Sequence, residues 1–262
     1  MHYLEVKPNQ ELQIKEPYRF PYYGITEKAD FSAQNNIGTL KLVSTYKGNR
    51  ANYMRKYFKN TNKREIIDSW NNFLFYTLNY SGDREGTDIR TIFNDASIEI
   101  VSDDKKLNEF TIQYKTSIEN PYFTDQQKNR FLMYFDRNVI KNNARDFLHT
   151  DIAFWHNFDN EKYEINVYTD QKIDTQEKYT IQESTINNLY FDYTSRKKVT
   201  KNGASIYIDY KPLVNLEIPQ KDFEEFRNAH HEVADSNFGL GIDIIEQGFM
   251  NLMKFNFKKL VK

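Results

Sequence analysis

The sequence predicts a β-rich α+β fold, with two β-sandwich-like units over residues 1–145 and 146–262 and a few helices. Three observations carry that expectation. Aromatic residues make up 16% of the 262 positions, with 19 Tyr and 20 Phe, and such rings favour pleated, half-buried surfaces over helices. Beyond residue 87, apolar side chains recur at every second position, as on one face of a strand. Helical spacing is confined to three stretches.

Residues 1–36 hold three of the six prolines (Pro8, Pro17, Pro21) and little periodicity, so they read as an extended arm. In "GTLKLVSTY", Leu40, Leu42 and Ser44 alternate with Lys41, Val43 and Thr45, a strand that Gly48 ends. From Asn49 the spacing turns helical, with Ala51, Met54 and Phe58 on one face. Asn62 is placed to cap a second helix with Glu65 three residues on, and Ile66, Ile67, Trp70, Phe73, Leu74, Thr77 and Leu78 form its apolar stripe. The turn-rich "NYSGDREG" stops it.

Strand faces follow at Ile98 and Ile100; Phe110, Ile112 and Tyr114; Phe131, Met133 and Phe135; Ile152 and Phe154; Tyr163, Ile165 and Val167; Tyr179 and Ile181. The clearest hairpin sets Leu189, Phe191 and Tyr193 before an Asn202-Gly203 turn and Ala204, Ile206 and Ile208 after it, because Asn-Gly tolerates the positive φ of tight hairpins. Phe223, Phe226, His230 and Val233 are spaced as a third helix, and "FGLGIDII" returns to a strand. The tail from Gln247 fits either period. The polar patch "KNNARDFLHT", residues 141–150, is the expected boundary between the two units.

With 36 basic and 37 acidic residues, no global field draws the chain to nucleic acid or anionic lipid. The absence of cysteine excludes disulfides, thiolate metal sites and a cysteine nucleophile. The first twenty residues lack a basic start followed by an apolar core, and no run approaches the roughly 20 apolar residues of a spanning helix. The expectation is a soluble product that stays where it is made, unless an export signal lies upstream in a longer chain.

The order of elements carries a resemblance. Tyr46, Gly48, Ala51 and Arg55 form a Y-x-G-x-x-A-x-x-x-R pattern. Further on come "FLHTDIAFWHNFDNEKYEINVYTD" and "EIPQKDFEEFRNAHHEVADSNFGLGIDI". Over roughly residues 35–245 the chain resembles the β-rich region that follows the catalytic domain in bacterial transglutaminase-like proteins of the Bacteroidetes type. In that family the chemistry belongs to a Cys, His and Asp constellation in the preceding domain. Since this chain has no Cys, no catalytic residue carries over, and transglutaminase or cysteine peptidase activity within it is excluded. The resemblance implies an accessory module with a protein partner or neighbouring domain, and a periplasmic or envelope setting if the chain is a fragment.

Four sets of residues invite a functional reading. Lys47, Arg50, Arg55, Lys56, Lys59, Lys63 and Arg64 follow one another with no acid between them and are interleaved with Tyr53, Tyr57 and Phe58. Such a segment suits single-stranded nucleic acid. The plainer reading is a solvated helix face with Arg55 paired to an acid, because acids resume at once from Glu65 and the whole chain is neutral. His230, His231 and Glu232 suggest a metal, but adjacent helical histidines point about 100° apart. His149, Asp151 and His156 could contribute alternate ligands, but a strand would put His149 and His156 on opposite faces. Trp155 and the many Tyr suggest sugar stacking, against which stands the usual place of Tyr in strand cores and edges.

No catalytic residue, cofactor or metal ligand is therefore assigned. The leading expectation is a non-catalytic accessory or interaction module, and the alternative is a carbohydrate-active or carbohydrate-binding protein. A cleft with two carboxyls roughly 5–9 Å apart would favour the second.

Overall fold

A computed structural model describes residues 3–5, 13–15, 24–78, 93–124, 130–132, 152–154, 160–173, 183–213, 217–236 and 242–244. The strands are β1 (Tyr3–Glu5), β2 (Gln13–Lys15), β3 (Gly24–Gln34), β4 (Ile37–Lys47), β5 (Phe93–Asp104), β6 (Glu109–Glu119), β7 (Tyr122–Thr124), β8 (Arg130–Leu132), β9 (Ile152–Phe154), β10 (Asn160–Thr169), β11 (Ser184–Asn187), β12 (Phe191–Thr200), β13 (Gly203–Pro212), β14 (Glu217–Pro219) and β15 (Ile242–Ile244). Helices α1 (Asn49–Asn60) and α2 (Lys63–Leu78) fall between β4 and β5, and α3 (Phe223–Ser236) follows β14. The protein is β-rich α+β, as its aromatic content and alternation predict.

Its centre is an eight-stranded sheet in the order β11-β12-β13-β10-β3-β4-β6-β5. One face is packed. It carries Ile25, Ala29 and Phe31 of β3, Leu40 and Leu42 of β4, Phe110, Ile112 and Tyr114 of β6, Tyr163, Ile165 and Val167 of β10, and Ile206, Ile208 and Tyr210 of β13, all buried. The other face is solvated and charged, with Lys28 bridging to Glu164 at 2.7 Å and Lys162 to Asp209 at 2.9 Å. This is the in–out alternation of a sheet covered on one side. The hydrogen bond from Lys28 holds the Glu164 carboxyl below the ordinary carboxylate range, yet both partners are about half exposed and such pairs add little stability.

Strands from both sides of the expected boundary share this sheet, rather than building a sheet each. The join is β3 with β10, which run parallel from Gly24 opposite Asn160 to Ala33 opposite Thr169. Hairpins announce themselves through local turn residues, whereas a parallel pair between strands separated by residues 35–159 leaves no local mark. All of residues 141–150, the patch expected as the boundary, and all of the tail from Gln247 lie outside the described residues, as do Met133, Phe135, Tyr179 and Ile181.

The arm expected over residues 1–36 is corrected by β3, a central strand. It pairs with β4 through a turn at Asn35 (φ 49°) and Asn36 (φ 64°), the doubly positive φ of a type I′ hairpin. The backbone N–H of Asn35 donates to Asp170 Oδ2 at 2.8 Å, tying the turn to the end of β10. Two further details differ. Ile98 is buried but Ile100, two residues further along this edge strand, is 52% exposed. Leu189 is 75% exposed and precedes β12, and the β12–β13 loop is Lys201-Asn202, with Thr200 opposite Gly203.

The second helix starts as expected, since Asn62 Oδ1 accepts the Glu65 N–H at 2.9 Å. It packs on β6 through Trp70, whose ring stacks on Tyr114 with centroids 5.9 Å apart. The Tyr114 hydroxyl donates to Asn71 Oδ1, a buried polar group on the same helix. Burial pushes the Tyr114 phenol well above its usual pKa. An unfolded tyrosine loses its proton near pH 10, so this contribution is complete below about pH 10 and falls away as pH rises towards the higher folded value. Urea titrations from pH 8 to 11 should show stability declining above about pH 10. Tyr114→Phe is expected to lessen that slope by about 1.4 kcal/mol per pH unit, one proton's worth.

Candidate functional site

The segment running from the end of β4 into α1 divides its residues among three tasks. Gly48, at φ 61°, turns the chain from strand to helix, and its N–H donates to Asn108 O at 3.0 Å. Ala51 and Met54 are buried and Phe58 packs edge-on against Phe110, with centroids 5.5 Å apart. These match the expected inward face.

Arg55 fastens the helix to the β5–β6 hairpin. Its Nε donates to Asp103 Oδ1 at 2.6 Å, Nη1 to Asn52 Oδ1 at 3.0 Å and Asn108 Oδ1 at 2.6 Å, and Nη2 to Asp104 O at 3.2 Å and Glu109 O at 2.8 Å. All five guanidinium donors are thus engaged, and the group also lies over the Phe110 ring at 5.9 Å. Lys47 bridges to Glu109 at 2.6 Å. Lys47 and Arg55 therefore serve the fold. Arg50, Lys56, Lys59, Lys63 and Arg64 are exposed. They do not form one stripe, because Arg50 and Lys59 are nine residues apart and at about 100° per residue lie on opposite sides of α1.

The third task is a cleft of about 680 Å³ between the helical pair and the sheet. Asn49, Arg50, Tyr53, Met54 and Tyr57 of α1 form one wall, Ser69, Trp70 and Phe73 of α2 the other, and Ile25 of β3 and Tyr46 of β4 complete it. Ile25 and Tyr46 are direct cross-strand partners. Tyr53 is 68% exposed, and its ring lies parallel to that of Tyr57 with centroids 6.5 Å apart. Trp70 and Phe73 meet edge-on at 5.9 Å. The volume is that of small-ligand sites, and an apolar wall with a few polar groups is their usual composition.

Arg50 is the one charged residue among the described residues lining the cleft, and none of them is Asp or Glu. The buried carboxylates sit elsewhere on the packed face. Glu27 accepts from the Ser44 hydroxyl at 3.0 Å, and Glu161 from the Tyr163 hydroxyl at 2.6 Å. Neither lines the cleft.

His230, His231 and Glu232 fall within α3, while His149, Asp151, Trp155 and His156 lie outside the described residues. Among the described residues no group of three or more His, Cys, Asp or Glu is placed to hold a metal ion, and no helix is long and apolar enough to cross a membrane. Sequence reasoning named Tyr53 and Tyr57 as stackers and Trp70 and Phe73 as core. The cleft joins the two sets, and its signal was an aromatic excess on two successive helices wider than one core-facing stripe needs. No family model, no curated protein and no solved structure matches this chain.

Proposed function

We propose that this chain is a non-catalytic accessory or interaction module, similar in role to the β-rich region after the catalytic domain of transglutaminase-like proteins, and that the α1–α2 cleft is its binding face. The observation that supports this reading is the lining of the cleft: five aromatic rings and one guanidinium, with no carboxylate among them. Such a surface can bind by stacking and apolar burial, but among the described residues it presents no carboxylate pair at its walls. The parallel Tyr53 and Tyr57 rings also suit a sugar ring, which keeps carbohydrate binding as a second reading.

The test uses Trp70 as reporter in a Trp155→Phe background, which leaves one tryptophan. Peptides selected from a random display library should shift Trp70 emission, and Tyr53→Ala should abolish the shift. Oligosaccharides should be neither bound nor hydrolysed. Hydrolysis of a glycoside that is lost in Glu27→Gln or Glu161→Gln would overturn the module reading in favour of an enzyme.

A further inference from the structure

The cleft's chemistry specifies more than an apolar guest. We infer that it takes a peptide segment in which an aromatic side chain adjoins a carboxylate, the ring entering between Tyr53, Tyr57, Trp70 and Phe73 and the carboxylate meeting Arg50. This deepens the module reading and rests on it.

Three observations select that chemistry. The walls are rings, with the outermost, Tyr53, exposed and aligned with Tyr57, so a guest ring finds both a face to stack on and an edge to meet. The charged lining residue is a cation, and a guanidinium matches a carboxylate through two parallel hydrogen bonds. Arg50 lies one turn before Tyr53 on α1, at i and i+3, so the two groups share a helix face and address one guest together. Nucleic acid fits less well. In the stretch expected to track phosphates, Arg55 and Lys47 are engaged within the fold, and the other cations are divided between opposite sides of α1 and the start of α2.

The experiment measures fluorescence anisotropy of fluorescein-labelled Gly-Asp-Phe-Glu-Gly on the full chain. Its comparisons are Gly-Asn-Phe-Gln-Gly, Gly-Asp-Ala-Glu-Gly, a twelve-residue oligothymidylate and phenylpropanoate as a competitor. Arg50→Gln and Tyr53→Ala are surface changes expected to leave the fold intact, and Lys41→Gln, on an exposed β4 position, serves as the control cation. The acidic aromatic peptide should bind, and either the uncharged peptide or Arg50→Gln should weaken binding at least about tenfold, as loss of a charged hydrogen-bond partner does. The alanine peptide and Tyr53→Ala should weaken it as much, Lys41→Gln should not, and raised salt should weaken the acidic peptide more than the uncharged one.

Equal affinity for the acidic and uncharged peptides, tighter binding of oligothymidylate, or a fully competitive phenylpropanoate with no gain from the peptide would each overturn the inference. If the uncharged peptide binds and Tyr53→Ala abolishes it, the module reading survives and only the carboxylate is lost. If no peptide binds and a glycoside is hydrolysed, both fall.

Discussion

Replacing Arg55 with alanine should lower the unfolding free energy by about 2–4 kcal/mol, the range for removing a charged group that satisfies several buried or half-buried acceptors. Two of those acceptors are backbone carbonyls, Asp104 O and Glu109 O, at opposite ends of the β5–β6 turn, and two are the side-chain amides of Asn52 and Asn108. Among the described residues the only ionic partner is Asp103, whose side chain is 35% exposed. Ion pairing is therefore the smaller part, and Asp103→Asn should cost less than half of the Arg55→Ala loss. Lysine offers three donors from one point and cannot span acceptors on both sides of the turn, so Arg55→Lys should recover little. Urea unfolding of the four proteins checks the ranking. Hydrogen exchange gives the location: β5–β6 amides should open first in Arg55→Ala, while those of β12–β13 keep their protection. A uniform loss across the sheet would show that Arg55 does not act as a local fastener.

What the sequence disclosed and what it hid follow a physical division. Local signals were legible. The Asn62 cap, the stripe through Ile66 and Trp70, and the alternations at Leu40, Phe110 and Tyr163 are set by neighbours within one turn or one strand, and the structure places them as read. That Arg55 pairs with an acid was read as well, but from the acids that resume at Glu65, whereas the partner is Asp103 in β5, 48 residues on. Two kinds of feature were not. β3 lies in a proline-bearing stretch whose alternation places Glu27 on the buried face, where a Ser44 hydroxyl receives it. A carboxylate at a core position erases the period-two pattern that marks a strand. The cleft was hidden for the opposite reason: Trp70 and Phe73 obey the helical period, and nothing in that period distinguishes a ring that fills a core from one that borders a cavity. The register of β3 against β4, which brings Ile25 beside Tyr46, decides that, and register is a tertiary fact.

Gly203→Val should destabilise the protein by about 2–4 kcal/mol, as strained insertion into a packed site does. Read as the second residue of an Asn-Gly turn, Gly203 would be needed for positive φ, and any substitution would then strain the backbone. The structure gives a different cause. Gly203 opens β13, opposite Thr200 and beside Tyr168 of β10, and a Cβ there would lie 2.8 Å from the Val167 carbonyl oxygen, a backbone atom with no freedom to step aside. The added side chain must separate β13 from β10 at the point where Asn202 Nδ2 also donates to Gln171 O at 2.9 Å. The two explanations diverge at Asn202. If positive φ governed the turn, Asn202→Gly would be neutral or stabilising. Since its amide ties the loop to the chain after β10, Asn202→Gly should instead lose about 1 kcal/mol, the worth of a typical hydrogen bond. Urea midpoints for the two variants, with unchanged denaturant slope, would establish close approach as the cause, and a stabilised Asn202→Gly would return the glycine to its turn.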